Sequence, residues 1–148
     1  MGSAPVGSVL DHIGRTPLVE IAALSPKSEV RIFAKLEGHN PTGSVKDRIA
    51  KQMIDSAEAS GRLEPGQTIL EPTSGNTGIS LAMIGQARGY PVKAVMPDAV
   101  TRERVDLLES FGDKNITLKP SEIGGLEEVG EIYDYLLSNF AKGAGSSL

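Results

Sequence analysis

Cysteine is absent from the 148 residues, which excludes disulfides and thiolate metal sites. Histidine occurs only at His12 and His39, far apart in sequence, so no histidine-rich metal site is expected. Aromatic residues make up only 4% of the chain, which leaves the core to aliphatic and small side chains. No apolar run approaches the ~20 residues that span a bilayer, and no signal peptide is visible. The net charge is -4 with both signs spread along the chain and no basic stripe, so neither nucleic acid nor membrane is an expected partner. A reducing, cytoplasmic location is compatible with all of this.

What is present is an ordinary globular composition, 39% hydrophobic and 23% charged, in a chain the size of one domain. Residues 1 to 30 are irregular, with one helical turn expected at 9 to 13 and a short alternating strand at Pro17-Leu18-Val19-Glu20-Ile21. Regular alternation starts at Arg31. Arg31-Ile32-Phe33-Ala34-Lys35-Leu36 reads as a strand ended by a Gly/Asn/Pro cluster. A helix follows, with Ser44 as N-cap and Asp47 completing a capping box. Val45, Ile49, Met53, Ile54 and Ala57 share its expected inner face, and Gly61 is its expected stop.

The unit then repeats. Thr68-Ile69-Leu70 is a strand, residues 77 to 88 form a helix apolar around most of its circumference, and Gly89 ends it. Val92-Lys93-Ala94-Val95-Met96 is the next strand. Thr101 caps a third helix with Val105, Leu108 and Phe111 inward. Asn115-Ile116-Thr117-Leu118 is a fourth strand, and Leu126, Val129, Tyr133, Leu136 and Phe140 line a fourth helix. The expected fold is α/β, a three-layer sandwich with a four-stranded parallel sheet and helices on both faces. The expected divisions are an irregular segment 1–30, an α/β domain 31–141, and a flexible tail 142–148.

In such a sheet the loops that leave the strands for the helices share the carboxyl edge, where ligands bind. Two of these loops carry chemistry. Pro41-Thr42-Gly43-Ser44-Val45-Lys46-Asp47-Arg48 puts a lysine at a helix start. The positive helix end disfavours an ammonium, and a neutral amine is what imine formation on a carbonyl cofactor needs. Thr73-Ser74-Gly75-Asn76-Thr77-Gly78 offers amides, hydroxyls and an amide side chain at another helix N-terminus, the donors a carboxylate or phosphate wants. The plain readings remain open beside these: a solvated surface lysine, and a helix cap built of turn residues. Neither a phosphate-loop ending nor a Gly-x-Gly-x-x-Gly is present. His12, His39, Glu71, and the Tyr133, Tyr135 and Glu127, Glu128, Glu131 groups read as turn, core or solvated residues.

Taken together, Lys35-Leu36-Glu37, Asn40 through Arg48, and Glu71 through Gly78 resemble the cysteine synthase / cystathionine β-synthase family of fold-type II enzymes. Gly14-Arg15-Thr16-Pro17-Leu18, Val95-Met96-Pro97 and the arginine-bearing helix after Thr101 add to the match, which runs from about residue 8 to about residue 125. The resemblance implies pyridoxal phosphate as cofactor and β-replacement on an O-activated serine by a sulfur donor. It implies that Lys46 carries the cofactor covalently and transfers protons once freed. Asn76 would bond the cofactor's ring oxygen, and Thr73, Ser74, Gly75, Asn76 and Thr77 would bind the substrate carboxylate. The chain matches only the smaller N-terminal domain of that family. The resemblance therefore implies weak cofactor binding and incomplete catalysis by this chain alone, loose anchoring of residues 6 to 30, and self-association as a homodimer through an exposed interface. Two alternatives are a non-catalytic self-associating domain and an anion- or nucleotide-binding module.

Overall fold

A computed structural model describes residues 7–73, 75–111 and 116–119. Strand β1 is Leu18–Glu20 and β2 is Phe33–Lys35; α1 is Lys46–Ala59, β3 Ile69–Pro72, α2 Asn76–Arg88, β4 Val92–Val95, α3 Arg102–Ser110 and β5 Ile116–Leu118. The α/β alternation expected from residue 68 onward is therefore present. The helix expected around residues 126 to 140 and the tail 142–148 lie outside the described residues.

The four-stranded parallel sheet is not what forms. Among the described residues the parallel sheet has three strands in the order β3-β4-β5, and β1 and β2 make a separate antiparallel pair with Leu18 opposite Lys35. The reason lies in the side chains. A central parallel strand is covered on both faces and reads as a continuous apolar run. Val92, Ala94 and Val95 of β4 are buried, whereas Phe33 and Lys35 of β2 are exposed. Two short alternating segments joined by a loop close more readily as an antiparallel pair, and this pair crosses residue 30. The sheet order advances in one direction, so crossovers of one hand place α2 and α3 on the same face, where they pack against each other.

Helix α2 is the centre of the core. Every residue from Gly78 to Gly85 is buried, as expected for a helix apolar nearly all round. One cluster joins Leu81, Met83 and Ile84 to Ala50 and Ile54 of α1 and to Tyr90 and Val92. Another joins Ile79 and Ala82 to Ala94, Met96 and Leu108. Gly89 closes α2 in the left-handed conformation, φ 81°.

Helix α1 turns inward only part of the face its apolar spacing suggests, with Ile54 buried as expected and Ala57 half-buried. Asp47, Ala50 and Ile54 are buried, while Val45, Ile49 and Met53 remain 43–48% exposed. Two apolar stripes compete on this helix. The stripe with the small Ala50 lets α1 lie close to α2, and the charge on Asp47 disguises it in the sequence.

Backbone approaches α2 closely at Gly85. A Cβ there would sit 2.7 Å from the Tyr90 carbonyl oxygen and 2.8 Å from Val92 Cγ2. Gly85→Ala is expected to destabilise the fold by about 1–3 kcal/mol, read as a lower urea midpoint, while Gln86→Ala on the exposed next position leaves the midpoint unchanged. Equal midpoints for the two variants would contradict the packing described here.

Candidate active site

The loop before α1 is fixed from both sides. On one side, Arg48 grips Glu37 with two bonds of 2.9 and 3.0 Å and also donates to Thr16 Oγ1 at 3.0 Å. Buried Asn40 donates to Glu37 Oε2 at 2.7 Å and to the Glu37 carbonyl at 2.8 Å, and its own Oδ1 accepts from the Gly14 amide at 2.9 Å. A paired guanidinium and carboxylate is a strong charge-assisted contact. This network ties residues 14–16 and 37–40 to the first turn of α1. The apolar side chains Leu18, Leu24 and Val30 stay exposed, while Leu10 and Ile13 pack against the core beside α2.

On the other side, Asp47 is fully buried and accepts from the Thr42 amide at 2.8 Å, from the Thr42 hydroxyl, and from Ser80 Oγ of α2 at 2.5 Å. The capping box expected between Ser44 and Asp47 does not close. Ser44 Oγ accepts from the Lys46 amide at 3.1 Å, but Asp47 turns inward to α2. A box of that kind closes instead at Ser8 and Asp11. Lys46 is the first residue of α1, one position earlier than expected, and is half-buried.

The second loop leaves β3 and enters α2. Thr73 Oγ1 accepts from the Gly75 amide at 3.3 Å and the Gly78 amide at 3.2 Å. Its lone pairs are thus engaged by the start of α2. The amides of Asn76 and Thr77 have no acceptor among the described residues, and they sit at the positive end of α2. Gly75 holds φ 157° and ψ -96°, a conformation that side chains rarely adopt. A Cβ at Gly75 would lie 3.2 Å from Arg104 Nη1. The guanidinium of α3 therefore lies against the loop, which adds positive charge where an anion would bind.

Ser80 joins the two loops. Its hydroxyl reaches Asp47, next to Lys46, and lies 2.9 Å from the carbonyl oxygen of Asn76. The structure thus places Lys46, Thr73, Gly75, Asn76 and Thr77 on connected elements; Ser74 lies outside the described residues. His12 and His39 are exposed and belong to turns. Glu71, on β3, is half-buried, and burial pushes its carboxyl above the ordinary carboxylate range. Among the described residues no group of three or more His, Asp or Glu side chains is placed to hold a metal ion. No described helix is long and apolar enough to cross a membrane.

Sequence reasoning passed over Asp47 as an inward ligand, Arg104, and the Glu37–Arg48–Asn40 network. Their signals were present: a carboxylate beside the lysine, an arginine two residues beyond it, and a glycine that leaves room for a guanidinium.

The described residues thus form an α/β domain with a lysine at the start of α1 and a set of polar donors at the start of α2. The sequence matches the pyridoxal-phosphate dependent enzyme family over residues 9–138, and the chain belongs to that family. A probable cysteine synthase of Bacillus subtilis is 52% identical over 117 residues, covering 79% of this chain and 37% of that protein. An O-ureido-L-serine synthase of Streptomyces lavendulae is 48% identical over 117 residues, covering 79% of this chain and 36% of that protein. The crystal structure of a cysteine synthase from Entamoeba histolytica is similar with a TM-score of 0.79 and 36% identity, over 96% of this chain and 44% of that one. The chain spans less than half the length of these relatives.

The Arg48 guanidinium, with help from Asn40 and Thr16, holds the Glu37 carboxyl down at about 2, against an ordinary value of 4.5. A carboxylate depressed in the folded state contributes stability that is complete above pH 4.5 and is lost as pH falls towards about 2. Unfolding free energies measured across that window should therefore fall less steeply for Glu37→Gln than for the parent chain. Parallel pH profiles would show that the network does not hold this segment.

Proposed function

We propose that this chain carries the lysine-bearing part of a pyridoxal-phosphate-dependent β-replacement site, which takes an O-activated serine and a sulfur donor and forms cysteine or a close analogue. The observation that carries this reading is the bridge from the Lys46 turn to the Asn76 turn through Asp47 and Ser80. It supports reading the Lys46 amine and the start of α2 as parts of one site. The names of the relatives, cysteine synthase and O-ureido-L-serine synthase, support a serine-derived substrate.

The donor set fits the cofactor and an amino acid. Pyridoxal phosphate, when bound, supplies an electron sink for the negative charge that develops at the substrate's Cα. Lys46 Nζ would hold the cofactor, and its free amine would remove and return the Cα proton. The Asn76 side chain orients the cofactor ring through its oxygen. The Thr73 hydroxyl and the open amides of Asn76 and Thr77 bind the substrate α-carboxylate, with Gly75 giving close backbone approach and Ser74 joining them by its place in the motif. The position of Arg104 strengthens the field at this end of the site.

Borohydride reduction in the presence of pyridoxal phosphate, followed by peptide mass spectrometry, should label Lys46 in preference to the other lysines. Asn76→Ala should weaken the cofactor response about tenfold, the scale of one lost hydrogen bond to a charged or strongly polarised group. Label spread evenly over the lysines would refute the assignment.

A second reading, self-association, is favoured by one observation: Val45, Ile49 and Met53 form an exposed apolar stripe along α1. Ile49→Glu should lower the average mass in sedimentation equilibrium if this stripe joins two copies. An unchanged mass would remove that reading and leave the first untouched.

A further inference from the structure

We infer that Asp47 is a positioning residue that locks the Lys46 turn to the anion loop through Ser80. A carboxylate with no exposure is expensive to bury, and among the described residues no cation lies within ion-pair distance of it. Its partners are neutral donors: the Thr42 amide at 2.8 Å, the Thr42 hydroxyl, and Ser80 Oγ at 2.5 Å. The N-terminus of α1 adds its own positive end. An apolar side chain would fill the same space at less expense. A carboxylate does what an apolar side chain cannot: it accepts from the Thr42 loop and from α2 at once.

Both donors lie beside the turns to which the proposed chemistry belongs. Thr42 lies in the turn that leads into Lys46. Ser80 lies one helical turn after Asn76, and its hydroxyl is 2.9 Å from the Asn76 carbonyl oxygen. The serine has one proton, and the shorter bond to the charged acceptor takes it. The chain Thr42, Asp47, Ser80, Asn76 therefore connects the start of α1 to the start of α2 inside the core. Successive residues of a helix are rotated by about 100°. Fixing Asp47 against α2 thus fixes the direction in which Lys46 leaves the helix.

The inference rests on Lys46 and the Asn76 loop forming one site, and the test separates the two ideas. Hydrogen exchange is measured on the cofactor-free full chain for the parent, Ser80→Ala and Asp47→Asn. Asparagine keeps the shape and can still bond Thr42, so it isolates the charge. Ser80→Ala, on α2, should speed exchange of the Thr42 and Lys46 amides, on another element, by about tenfold, the scale of one lost bond to a carboxylate. Unchanged exchange there overturns the bridge, whatever the cofactor does. Borohydride trapping with pyridoxal phosphate is then run on these three chains and on the double variant. Both variants should label Lys46 more slowly, and the double variant should be no slower than Asp47→Asn, because both changes break one connection. Additive slowing, or single variants that trap at the parent rate, would show that Asp47 is structural only. If the parent itself does not trap at Lys46, the proposed function fails, and the exchange result alone decides the bridge. Should Asp47→Asn not fold, Ser80→Ala carries both readouts.

Discussion

Close approach to α2 is the constraint on which the other elements depend. Its residues from Gly78 to Gly85 are all buried, so neighbours must reach its backbone nearly all the way round. Gly78 leaves room for Thr73 and Leu108, and Gly85 for the Tyr90 carbonyl and Val92. Any added carbon at these places pushes β3, β4 or α3 away. The same closeness brings Thr73 Oγ1 onto the Gly78 amide and sets the start of α2. The geometry of the loop before α2 is thus a consequence of core packing.

Around that helix, polar groups do the aligning. Burial of apolar area is not directional, and it fixes neither the rotation of α1 nor the path of the loop before it. Asp47 and Ser80 fix the rotation from inside, and the Arg48–Glu37 pair with Asn40 fixes the loop from outside. The role proposed for Lys46, an amine that meets a small substrate, needs such support, because loosely held groups lose most of the advantage of proximity.

Much of this was legible in the sequence because strong periodicity leaves little choice. The strands β3, β4 and β5 and the helices α1, α2 and α3 follow from apolar runs, helical spacing and the stop at Gly89. Val105 and Leu108 were correctly read as inward-facing. The remainder depends on tertiary choices between equivalent local patterns. β2 reads as a strand whichever partner it takes, and only its exposed Phe33 and Lys35 reveal that it lies outside the parallel sheet. Helix α1 offers two apolar stripes, and nothing local says that the one holding Asp47 is buried. Ser44 and Asp47 have capping-box spacing, yet the carboxylate finds better donors in Thr42 and on another helix. Lys46 and the residues 73–77 were singled out from their motifs; their connection through Ser80 required the fold.

The central claim is that the Lys46 turn and the Asn76 turn form a single site. Amide-resolved NMR during titration with pyridoxal phosphate tests it most directly. The account predicts that the amides of Lys46, Asn76 and Thr77 shift together with one common midpoint, and that Ser80, which joins them, follows. Shifts confined to exposed lysines, or separate midpoints for the two turns, would contradict it.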